Sequence, residues 1–255
     1  MTMLANKTAL VTGASRGMGR ATALAFGAAG VRVIVHYGRN ADKAKAVVEQ
    51  IRASGGKADA VAADLAAPDG AHVLAAEVRN LAGGKLDILV SNAGISNATT
   101  IETMSVKDFD SLFAVNVRAP YFLVQQLLPI MGEGGTIVFV SSLGARAAVG
   151  TLAAYASTKG AINTLVKYLA SALGPRGIRV NAVAPGWTES PITRGHVDAE
   201  AVARISRTMA LRKVAQPEDV AAQVVVLASD VLSGHVSGQL VTVAGGMEGR
   251  VVHDA

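Results

Sequence analysis

A tyrosine and a lysine four residues apart, Tyr155 and Lys159, are the two side chains of this sequence best suited to moving a proton. If the segment is helical, residues at i and i+4 share one face, so the phenol and the ammonium lie side by side. A phenol has a pKa near ~10 in water, and a nearby cation lowers that pKa by stabilising the phenolate. Such a tyrosine is a usable acid or base near neutral pH, and Ser142 could hydrogen-bond the oxygen that the phenol protonates.

The same spacing arises by chance in many helices, where the tyrosine packs and the lysine is solvated. In this sequence the residues around the pair are small or apolar, which does not suit a solvated lysine. This neighbourhood favours a catalytic role for the pair. Its members are Ala153, Ala154, Ala156, Gly160, Ala161, Ile162, Leu165 and Val166.

The chain is long enough to bury a large hydrophobic core, and α/β proteins of 255 residues commonly form one domain. We therefore expect a single domain over residues 1–255. Hydrophobic residues make up 51% of the chain and charged residues 17%, and the mean hydropathy is +0.37. This is apolar for a soluble monomer, so we expect sister subunits to cover part of the surface in a homotetramer or a homodimer.

The composition also disfavours several classes of protein. No apolar run reaches the ~18 residues of a membrane span, and residues 1–6 lack the character of a signal peptide, so we expect a cytoplasmic protein without a membrane partner. The absence of cysteine excludes disulfides and thiolate metal sites, and we expect no metal. The net charge of +5 suggests nucleic-acid binding as one option. However, the basic residues are scattered and aromatic residues make up only 4%, so we expect no nucleic acid as a partner.

A glycine-rich loop lies between the first predicted strand, residues 7–12, and an alanine-rich helix. From Gly13 to Gly19 it reads Gly-Ala-Ser-Arg-Gly-Met-Gly. Glycines let the backbone approach a ligand closely, and the amides at a helix start direct partial positive charge at an anion. Three glycines at this point favour a diphosphate site over a purely structural turn. Their spacing differs from the common Gly-x-Gly-x-x-Gly dinucleotide fingerprint.

The second predicted strand, residues 31–36, ends without an acidic residue. In dinucleotide-binding folds an Asp or Glu at this point binds the adenosine ribose and favours NAD. Here Arg39 follows the strand and Arg16 lies in the glycine loop, so a 2′-phosphate would meet two cations and no carboxylate. The sequence therefore predicts a preference for NADP(H) over NAD(H), unless Arg39 is a solvated loop arginine.

Later strand ends carry further candidate residues. Asp64 follows the third predicted strand, residues 58–63, where it either binds the adenine amino group or caps the next helix. The fourth predicted strand, residues 86–90, leads into small residues at 91–94 that let the backbone pass close to a ligand. The fifth strand delivers Ser142.

The remaining elements complete an alternating pattern. Asn116 lies in a long predicted helix, residues 106–131, where its apolar neighbours indicate a buried polar role. The stretch 187–216 is predicted to form a substrate lid with a short helix, followed by a last helix at 217–229 and a last strand. Because strands alternate with helices throughout, we predict an α/β fold with a doubly wound parallel sheet of about seven strands and helices on both faces.

Over nearly its whole length the sequence resembles the short-chain dehydrogenase/reductase family. The resemblance implies a Rossmann-type fold in which Tyr155 is the catalytic acid/base and Ser142 polarises the substrate oxygen. It also implies that Lys159 binds the nicotinamide ribose and lowers the pKa of Tyr155, and that Asn116 holds a proton-relay water. The motifs that carry it stand in the family's order: Thr12-Gly13-x-x-x-Gly17-x-Gly19, Asp64, Asn92-Ala93-Gly94, Asn116, Ser142, Tyr155-x-x-x-Lys159 and Pro185-Gly186.

Two positions depart from the family pattern. Ser91 stands where asparagine is frequent, and Ser190 stands where threonine is usual. Either Ser190 or the nearby Thr188 would then bind the cofactor carboxamide. Together with the arginines, the expected cofactor site comprises Gly13, Ser15, Arg16, Gly17, Met18, Gly19, Tyr37, Arg39, Asn40, Asp64, Leu65, Asn92, Ala93, Gly94, Tyr155, Lys159, Pro185, Gly186 and Thr188.

The resemblance implies reversible carbonyl reduction, in which NADPH gives a hydride to a ketone carbon and Tyr155 gives a proton to its oxygen. Residues 12–17, 36–40 and 243–246 look most like those of 3-oxoacyl-[acyl-carrier-protein] reductases and their relatives, so we expect a small carbonyl or alcohol substrate, free or carrier-bound. The alternatives are a dehydrogenase that uses NAD on another small alcohol or sugar, and a regulator that binds the cofactor without catalysis. An epimerase or dehydratase would have a longer substrate domain and a different glycine spacing.

The predicted lid region carries several basic side chains. They either attract an acidic substrate or a carrier protein, or form a solvated helix face. They are Arg194, His196, Arg204 and Arg207.

Overall fold

The computed structural model describes residues 4–148, 150–189 and 199–247. Its seven strands are β1 (Thr8–Val11), β2 (Arg32–Tyr37), β3 (Lys57–Ala62), β4 (Ile88–Ser91), β5 (Thr136–Val140), β6 (Arg179–Pro185) and β7 (Leu240–Val243). They form one sheet in the order β3-β2-β1-β4-β5-β6-β7, and every pair is parallel. The predicted doubly wound parallel sheet is therefore confirmed.

Helices connect the strands and cover both faces of the sheet. Nine α-helices lie within the described residues: α1 (Gly17–Ala28), α2 (Ala41–Ala53), α3 (Gly70–Ala82), α4 (Val106–Phe113), α5 (Ala119–Leu127), α6 (Ala153–Leu173), α7 (Ala199–Arg207), α8 (Pro217–Ala228) and α9 (Asp230–Ser233). Short 3₁₀ turns occur at Leu128–Ile130, Leu143–Ala145 and Gly174–Arg176.

Alternate residues of the strands point into two separate hydrophobic cores. Leu89 of β4 belongs to the core that includes Leu123 of α5, on the face covered by α3, α5 and α6. Its neighbour Val90 belongs to the core that includes Phe26 of α1 and Val224 of α8, on the opposite face. Every residue of β4, β5 and β6 is buried, as expected for central parallel strands covered on both sides.

The strand order reverses at β1, which pairs with β2 on one side and with β4 on the other. The chain segments that follow β1 and β4 run to opposite faces of the sheet. This opens a crevice at the carboxyl ends of these two strands. The glycine loop leaves β1 at this crevice, and residues 92–94 leave β4 beside it.

The long helix predicted over residues 106–131 is wrong, because the structure divides it into four pieces. Between α4 and α5 the chain forms a π-helix, Ala114–Arg118, and a 3₁₀ turn follows α5. Pro120 explains the interruption. It has no amide hydrogen, so it cannot make the i→i−4 bond to the carbonyl of Asn116 that a regular α-helix requires.

Other differences from the predicted elements are small. The strands begin and end within two residues of their predicted limits. The helix at 217–229 is not the last one, because α9 follows it directly. Helix α7 lies within the predicted lid, whereas Ser190, Arg194 and His196 lie outside the described residues. Among the helices that the structure describes, none has the length and apolar character needed to cross a membrane.

Candidate active site

Tyr155 and Lys159 lie one turn apart near the start of α6. The Lys159 ammonium is 5.7 Å from the centroid of the Tyr155 ring, so the two side chains share a helix face as the spacing predicts. Lys159 Nζ donates a hydrogen bond of 2.8 Å to the carbonyl of Val140, the last residue of β5. The pair is therefore anchored at the carboxyl edge of the sheet.

The Lys159 ammonium is buried, with 5% of the residue exposed. Burial lowers its pKa from 10.5 to about 8, because a charged amine loses hydration in the protein interior. No carboxylate of the described chain offsets this effect with an ion pair. A Cβ at Gly94 would lie 3.5 Å from Nζ, so the chain that leaves β4 passes directly beside the amine.

The predicted lowering of the Tyr155 pKa by Lys159 is wrong for this structure. Burial raises the pKa of the Tyr155 phenol above its ordinary value, and an interaction with the Ser142 side chain acts in the opposite direction as the smaller effect. The Lys159 ammonium is directed at the Val140 carbonyl, and the effect of burial on the phenol is the larger one. At neutral pH the phenol therefore keeps its proton and is a potential donor.

Ser142 follows β5 and caps the 3₁₀ turn at Leu143–Ala145. Its hydroxyl oxygen accepts a hydrogen bond of 3.1 Å from the Gly144 amide. A serine hydroxyl can accept and donate at the same time, so this contact orients the oxygen and leaves the hydroxyl hydrogen to be donated. The Ser142 hydroxyl is thus placed to donate to an oxygen that also meets the Tyr155 phenol.

Asn116 lies in the π-helix and is buried, with 1% exposed. Its side-chain oxygen accepts from the Ile95 amide at 2.9 Å, and its nitrogen donates to the Ile95 carbonyl at 2.8 Å. The second amide hydrogen goes to the Thr158 hydroxyl at 3.1 Å. Both donors of the side chain are therefore used within the protein, so a water held here would need the main-chain carbonyl that Pro120 leaves without its α-helical partner.

The glycine loop is shaped by contacts that exclude side chains. Gly13 and Gly17 have positive φ angles of 64° and 55°. A Cβ at Gly19 would lie 2.5 Å from the Gly13 carbonyl oxygen, which no real side chain tolerates. By contrast, a Cβ at Gly17 would point into open space, so the loop is tight against the protein and open on its outer side.

The start of α1 fits an anion. Its N-cap residue, Arg16, makes no side-chain capping bond, and the first turn contains no acidic residue. The first amides of a helix carry partial positive charge and have no partner within the helix. The open space at Gly17 lies beside these amides, so the residues present fit the diphosphate of a dinucleotide.

Asn92 positions this loop. Its side-chain nitrogen donates to the Thr12 carbonyl at 2.8 Å, and its main-chain amide donates to the Thr12 hydroxyl at 3.0 Å. The Ala93 amide donates to the same hydroxyl at 2.9 Å. These bonds lock the end of β4 to the end of β1, and they assign the Asn92 side chain to loop geometry.

Comparisons with known proteins agree with this geometry. Residues 13–248 match the family model described as enoyl-(acyl carrier protein) reductase. An uncharacterised oxidoreductase of Methylorubrum extorquens is 39% identical over 250 residues, covering 97% of this chain and all of the relative. The 3-oxoacyl-[acyl-carrier-protein] reductase of Synechocystis sp. is 34% identical over 249 residues, covering 97% and 99%.

Solved structures give the same result. The crystal structure of the angucycline C-6 ketoreductase LanV with bound NADP superimposes with a TM-score of 0.90 at 38% identity, covering 96% of each chain. A short-chain dehydrogenase of Burkholderia cenocepacia in complex with NADP also gives a TM-score of 0.90, at 37% identity, covering 96% of this chain and 99% of the relative. The chain belongs to the short-chain dehydrogenase/reductase family.

In this short-chain dehydrogenase/reductase, a cavity of about 420 Å³ adjoins the glycine loop. Arg16 and Arg39 are both exposed, and neither forms an ion pair with a carboxylate in the described part of the chain. Arg39 and Asn40 precede α2, and Tyr37 ends β2 half-buried. The cavity is lined by Ser15, Arg16, Gly17, Arg20, Lys43, Ala46, Glu189, Gln216, Pro217 and Glu218.

Asp64 does not cap the next helix, so that alternative is wrong. Helix α3 begins at Gly70 with Asp69 as its N-cap residue. The Asp64 carboxylate instead accepts from the Ala66 amide at 2.9 Å, forming a tight turn at the end of β3. Asp64 is exposed at this turn, whereas the neighbouring Leu65 side chain is buried in the hydrophobic core, which leaves the Leu65 backbone for a ligand contact.

The chain after β6 is packed too tightly at Gly186 for a side chain. A Cβ there would lie 2.7 Å from the Ala244 Cβ. Thr188 is buried, and its hydroxyl donates to the Gly186 carbonyl at 3.2 Å. Of the two hydroxyls predicted to bind the carboxamide, Thr188 is therefore already engaged with its own loop, and Ser190 lies outside the described residues.

Two buried polar residues of the site were not predicted. Thr158 donates to the Tyr155 carbonyl at 2.6 Å and accepts from Asn116, so it joins α6 to the π-helix. His36, at the end of β2, bonds the first amide of the glycine loop. A histidine that follows a run of apolar strand residues, here Val33 to Val35, is a recognisable sequence feature, but its partners cannot be read from the sequence.

Proposed function

We propose that this protein is an NADP(H)-dependent oxidoreductase that interconverts a ketone and a secondary alcohol. The observation that carries the proposal is that Tyr155, Ser142 and Lys159 lie together at the carboxyl end of β5. The glycine loop nearby leads into helix α1, whose first amides have no side-chain cap. Relatives support it, because the matching structures of a ketoreductase and of a short-chain dehydrogenase contain NADP. When bound, the nicotinamide cofactor supplies the hydride.

The protein's own residues donate the proton to the substrate oxygen and stabilise the charge on that oxygen. Tyr155 is protonated at neutral pH because burial raises its pKa, so in the reduction direction it donates a proton to the substrate oxygen. The Ser142 hydroxyl donates to the same oxygen and stabilises the negative charge that develops there. The Lys159 ammonium places a positive charge near the Tyr155 phenol. It would also bind the ribose hydroxyls next to the reacting carbon.

A proton must be returned to Tyr155 after each turnover. Thr158 and Asn116 form a buried polar connection from the Tyr155 carbonyl to Ile95. We propose that a water held at the Asn116 carbonyl, together with the Lys159 amine, supplies this proton. The Lys159 amine suits the task, since its pKa of about 8 lies close to neutral pH.

We propose NADP(H) as the preferred cofactor, with Arg16 and Arg39 binding the 2′-phosphate. Both are exposed beside the strand ends where the adenosine ribose would lie, and a phosphate gains charge-assisted hydrogen bonds from arginine. A relative from Sphingomonas sp., L-rhamnose 1-dehydrogenase (NAD(P)⁺), is 37% identical over 251 residues. The test is a parallel titration of NADPH and NADH; tighter binding of NADH would reject the preference.

For the substrate we propose a ketone, with 3-oxoacyl thioesters as the first compounds to assay, because several relatives are 3-oxoacyl-[acyl-carrier-protein] reductases. The second candidate is oxidation of a sugar or small alcohol, which the rhamnose dehydrogenase favours. A panel of 3-oxoacyl thioesters, aromatic ketones and sugars, assayed with both cofactors, would separate the two. Activity on sugars alone would replace the first candidate by the second.

We also propose a homo-oligomer built on α4, α5 and α6. Large apolar side chains are exposed on this side of the molecule, including Val106 and Phe109 of α4, Tyr121 of α5 and Tyr168 of α6. Exposed apolar surface of this kind usually marks an interface. Light scattering on purified protein tests this, and a monomer at micromolar concentration would reject it. We propose further that residues 187–216 act as the substrate lid of a single domain.

A further inference from the structure

His36 is a buried histidine that takes part in no step proposed above. It lies next to the end of β2, and 2% of it is exposed. A buried polar side chain needs partners for both ring nitrogens, and His36 finds them on two other strand ends. These strand ends are the ones that carry the glycine loop and Asp64.

The imidazole bridges the end of β1 to the end of β3. Its Nδ1 accepts from the Gly13 amide at 3.1 Å, and its Nε2 lies 3.1 Å from the Ala63 carbonyl oxygen. Because an amide can only donate and a carbonyl can only accept, Nδ1 carries no proton and Nε2 carries one. The main-chain carbonyl of His36 accepts from the next loop amide, Ala14, at 2.8 Å.

The bridge fixes the place where the glycine loop begins. Gly13 has a φ of 64° and its α-carbon lies so close to Ala93 that a Cβ would be 2.9 Å from the Ala93 α-carbon. The Gly13 amide is bonded to the His36 ring and the Ala14 amide to the His36 main-chain carbonyl, so His36 adds a second set of contacts to those that Asn92 makes with the end of β1. On the other side of the ring, Ala63 immediately precedes Asp64.

The ring keeps this arrangement over the ordinary range of pH. Burial lowers the pKa of His36 from 6.5 to about 4, and the bond to Ala63 opposes that shift only in part. A proton added to Nδ1 would face the Gly13 amide hydrogen and break the bridge. The neutral ring therefore suits a permanent structural contact.

We propose that His36 is a positioning residue for the adenosine half of the dinucleotide, because its ring sets the separation between the glycine loop and the Asp64 turn. This inference rests on the proposed cofactor site. It assigns His36 no contact with the ligand. It predicts that loss of the bridge weakens binding of the adenosine half and leaves binding of the nicotinamide half unchanged.

The experiment measures dissociation constants of His36→Leu for three probes: NADPH, 2′,5′-ADP and reduced nicotinamide mononucleotide. Loss of both hydrogen bonds is expected to raise the dissociation constants of NADPH and 2′,5′-ADP by the same factor, about tenfold or more. The constant for the mononucleotide should stay within about twofold of wild type, since the Tyr155 and Lys159 side is not touched.

Two conservative variants test whether the bridge itself matters. The side-chain oxygen of His36→Asn lies close to the position of Nδ1 and keeps the bond to Gly13, whereas the amide nitrogen of His36→Gln lies close to the position of Nε2 and keeps the bond to Ala63. Each is expected to restore part of the affinity for 2′,5′-ADP. If His36→Leu does not fold, the inference is tested with His36→Asn and His36→Gln alone. Wild-type affinity for 2′,5′-ADP in both variants would overturn it.

Asn181→Leu is the matched control. Asn181 is buried in β6, accepts from the Gln239 amide at 3.0 Å and donates to the Val236 carbonyl at 2.8 Å. It therefore makes the same kind of bridge, here between β6 and the chain that leads into β7, across the sheet from β2. It should lower the melting temperature without changing the affinity for 2′,5′-ADP. An equal loss of affinity in Asn181→Leu and His36→Leu would show general destabilisation and overturn the inference.

The outcomes separate this inference from the proposed function. Wild-type protein that binds neither NADPH nor NADH would overturn both together. Wild-type protein that binds NADPH, with an unchanged dissociation constant in His36→Leu, would overturn the role of His36 alone. An equal loss for the mononucleotide would also overturn it, because the effect would not be confined to the adenosine half.

Discussion

The amino ends of the parallel strands form one edge of the sheet (the amino edge) and their carboxyl ends form the other (the carboxyl edge). Two cationic side chains are paired with a carboxylate at the first, whereas two others at the second have no such pair among the residues that the structure describes. At the amino edge, two cations share one carboxylate: Arg179, at the start of β6, bonds Asp230 at 3.0 Å, and Lys7 bonds the same side chain. At the carboxyl edge, Lys159 is buried with no described carboxylate beside it, and Arg39 is exposed without a described ion pair.

Arg179 and Lys7 at the amino edge are thus paired with a carboxylate, whereas Lys159 and Arg39 at the carboxyl edge have no such pair within the described residues. Asp230 shows the first case, because its two cations keep the pKa of its carboxyl below the ordinary value although burial alone would raise it. Lys159 shows the second, because burial alone lowers its pKa. Unsatisfied charge that the fold must tolerate marks the edge where a ligand is expected.

The strongest test of this contrast is Tyr155→Phe at the carboxyl edge. Removing the proton donor is expected to lower kcat by about 10²- to 10⁴-fold, while NADPH affinity and melting temperature change little. Initial rates at saturating cofactor give the measurement. Tyr168→Phe, on an exposed tyrosine of the same helix, is the matched control and should keep full activity. Undiminished turnover in Tyr155→Phe would remove the proposed acid.

Arg179→Ala tests the amino edge. The guanidinium donates to the carbonyls of Leu227 and Ala228 as well as to Asp230, so the substitution leaves several acceptors unpaired. We expect a loss of about 2 to 3 kcal/mol in the free energy of unfolding, with kcat unchanged in the folded fraction.

Urea denaturation measures the effect of Arg179→Ala. The matched control is Lys45→Ala, which removes an exposed helix pair with Glu49 at 3.9 Å and should cost under about 0.5 kcal/mol. Equal losses in the two variants would show that the amino edge is no more stabilised by its charges than an ordinary surface.

Lys159→Met tests the opposite expectation, that the carboxyl edge weakens the fold. A pKa of about 8 in place of 10.5 means that the folded protein binds the amine proton less tightly than the unfolded chain does. Stability from this group therefore rises as the pH increases from about 8 to about 10.5 and is lowest below about 8.

At pH 7 we expect Lys159→Met to be more stable than wild type by about 1 to 2 kcal/mol, since part of the gain is offset by the lost bond to Val140. The variant should also lose most turnover. Unfolding curves at pH 7 and pH 10 provide the measurement, and the difference between the proteins should shrink at the higher pH. A variant less stable than wild type at pH 7 would contradict the contrast.

Arg39→Ala is expected to have the smallest effect. It should weaken NADPH binding by about tenfold and leave NADH binding unchanged, because only NADPH carries the 2′-phosphate. Fluorescence titration of both cofactors measures this. Lys85→Ala, which removes a cation paired with Asp87 at the amino edge, should change neither affinity. Equal weakening of NADPH and NADH would show that Arg39 does not discriminate between the cofactors.

Much of the fold could be predicted from the sequence because local patterns determine it. The alternation of apolar strands with helices predicts the parallel sheet, and the spacing of Tyr155 and Lys159 predicts their common face. The break at Pro120 was also visible in principle, since a proline cannot bond the carbonyl four residues earlier.

Other properties depend on tertiary contacts that no local pattern contains. The direction of the Tyr155 pKa shift depends on how deeply the phenol is buried and where the Lys159 amine points. Asp64 could cap a helix or form a turn, and the choice follows from where α3 begins. The partners of His36 lie 23 and 27 residues away along the chain.

The enclosure of Lys159 has a practical consequence for handling the protein. An amine with a pKa of about 8 is partly neutral and so more nucleophilic than an ordinary lysine, yet its burial shields it from reagents in bulk solvent. Lys45 and Lys85 expose 75% and 73% of their side chains. Coupling the protein to an amine-reactive resin should therefore proceed through such surface lysines and leave the proposed catalytic amine unmodified.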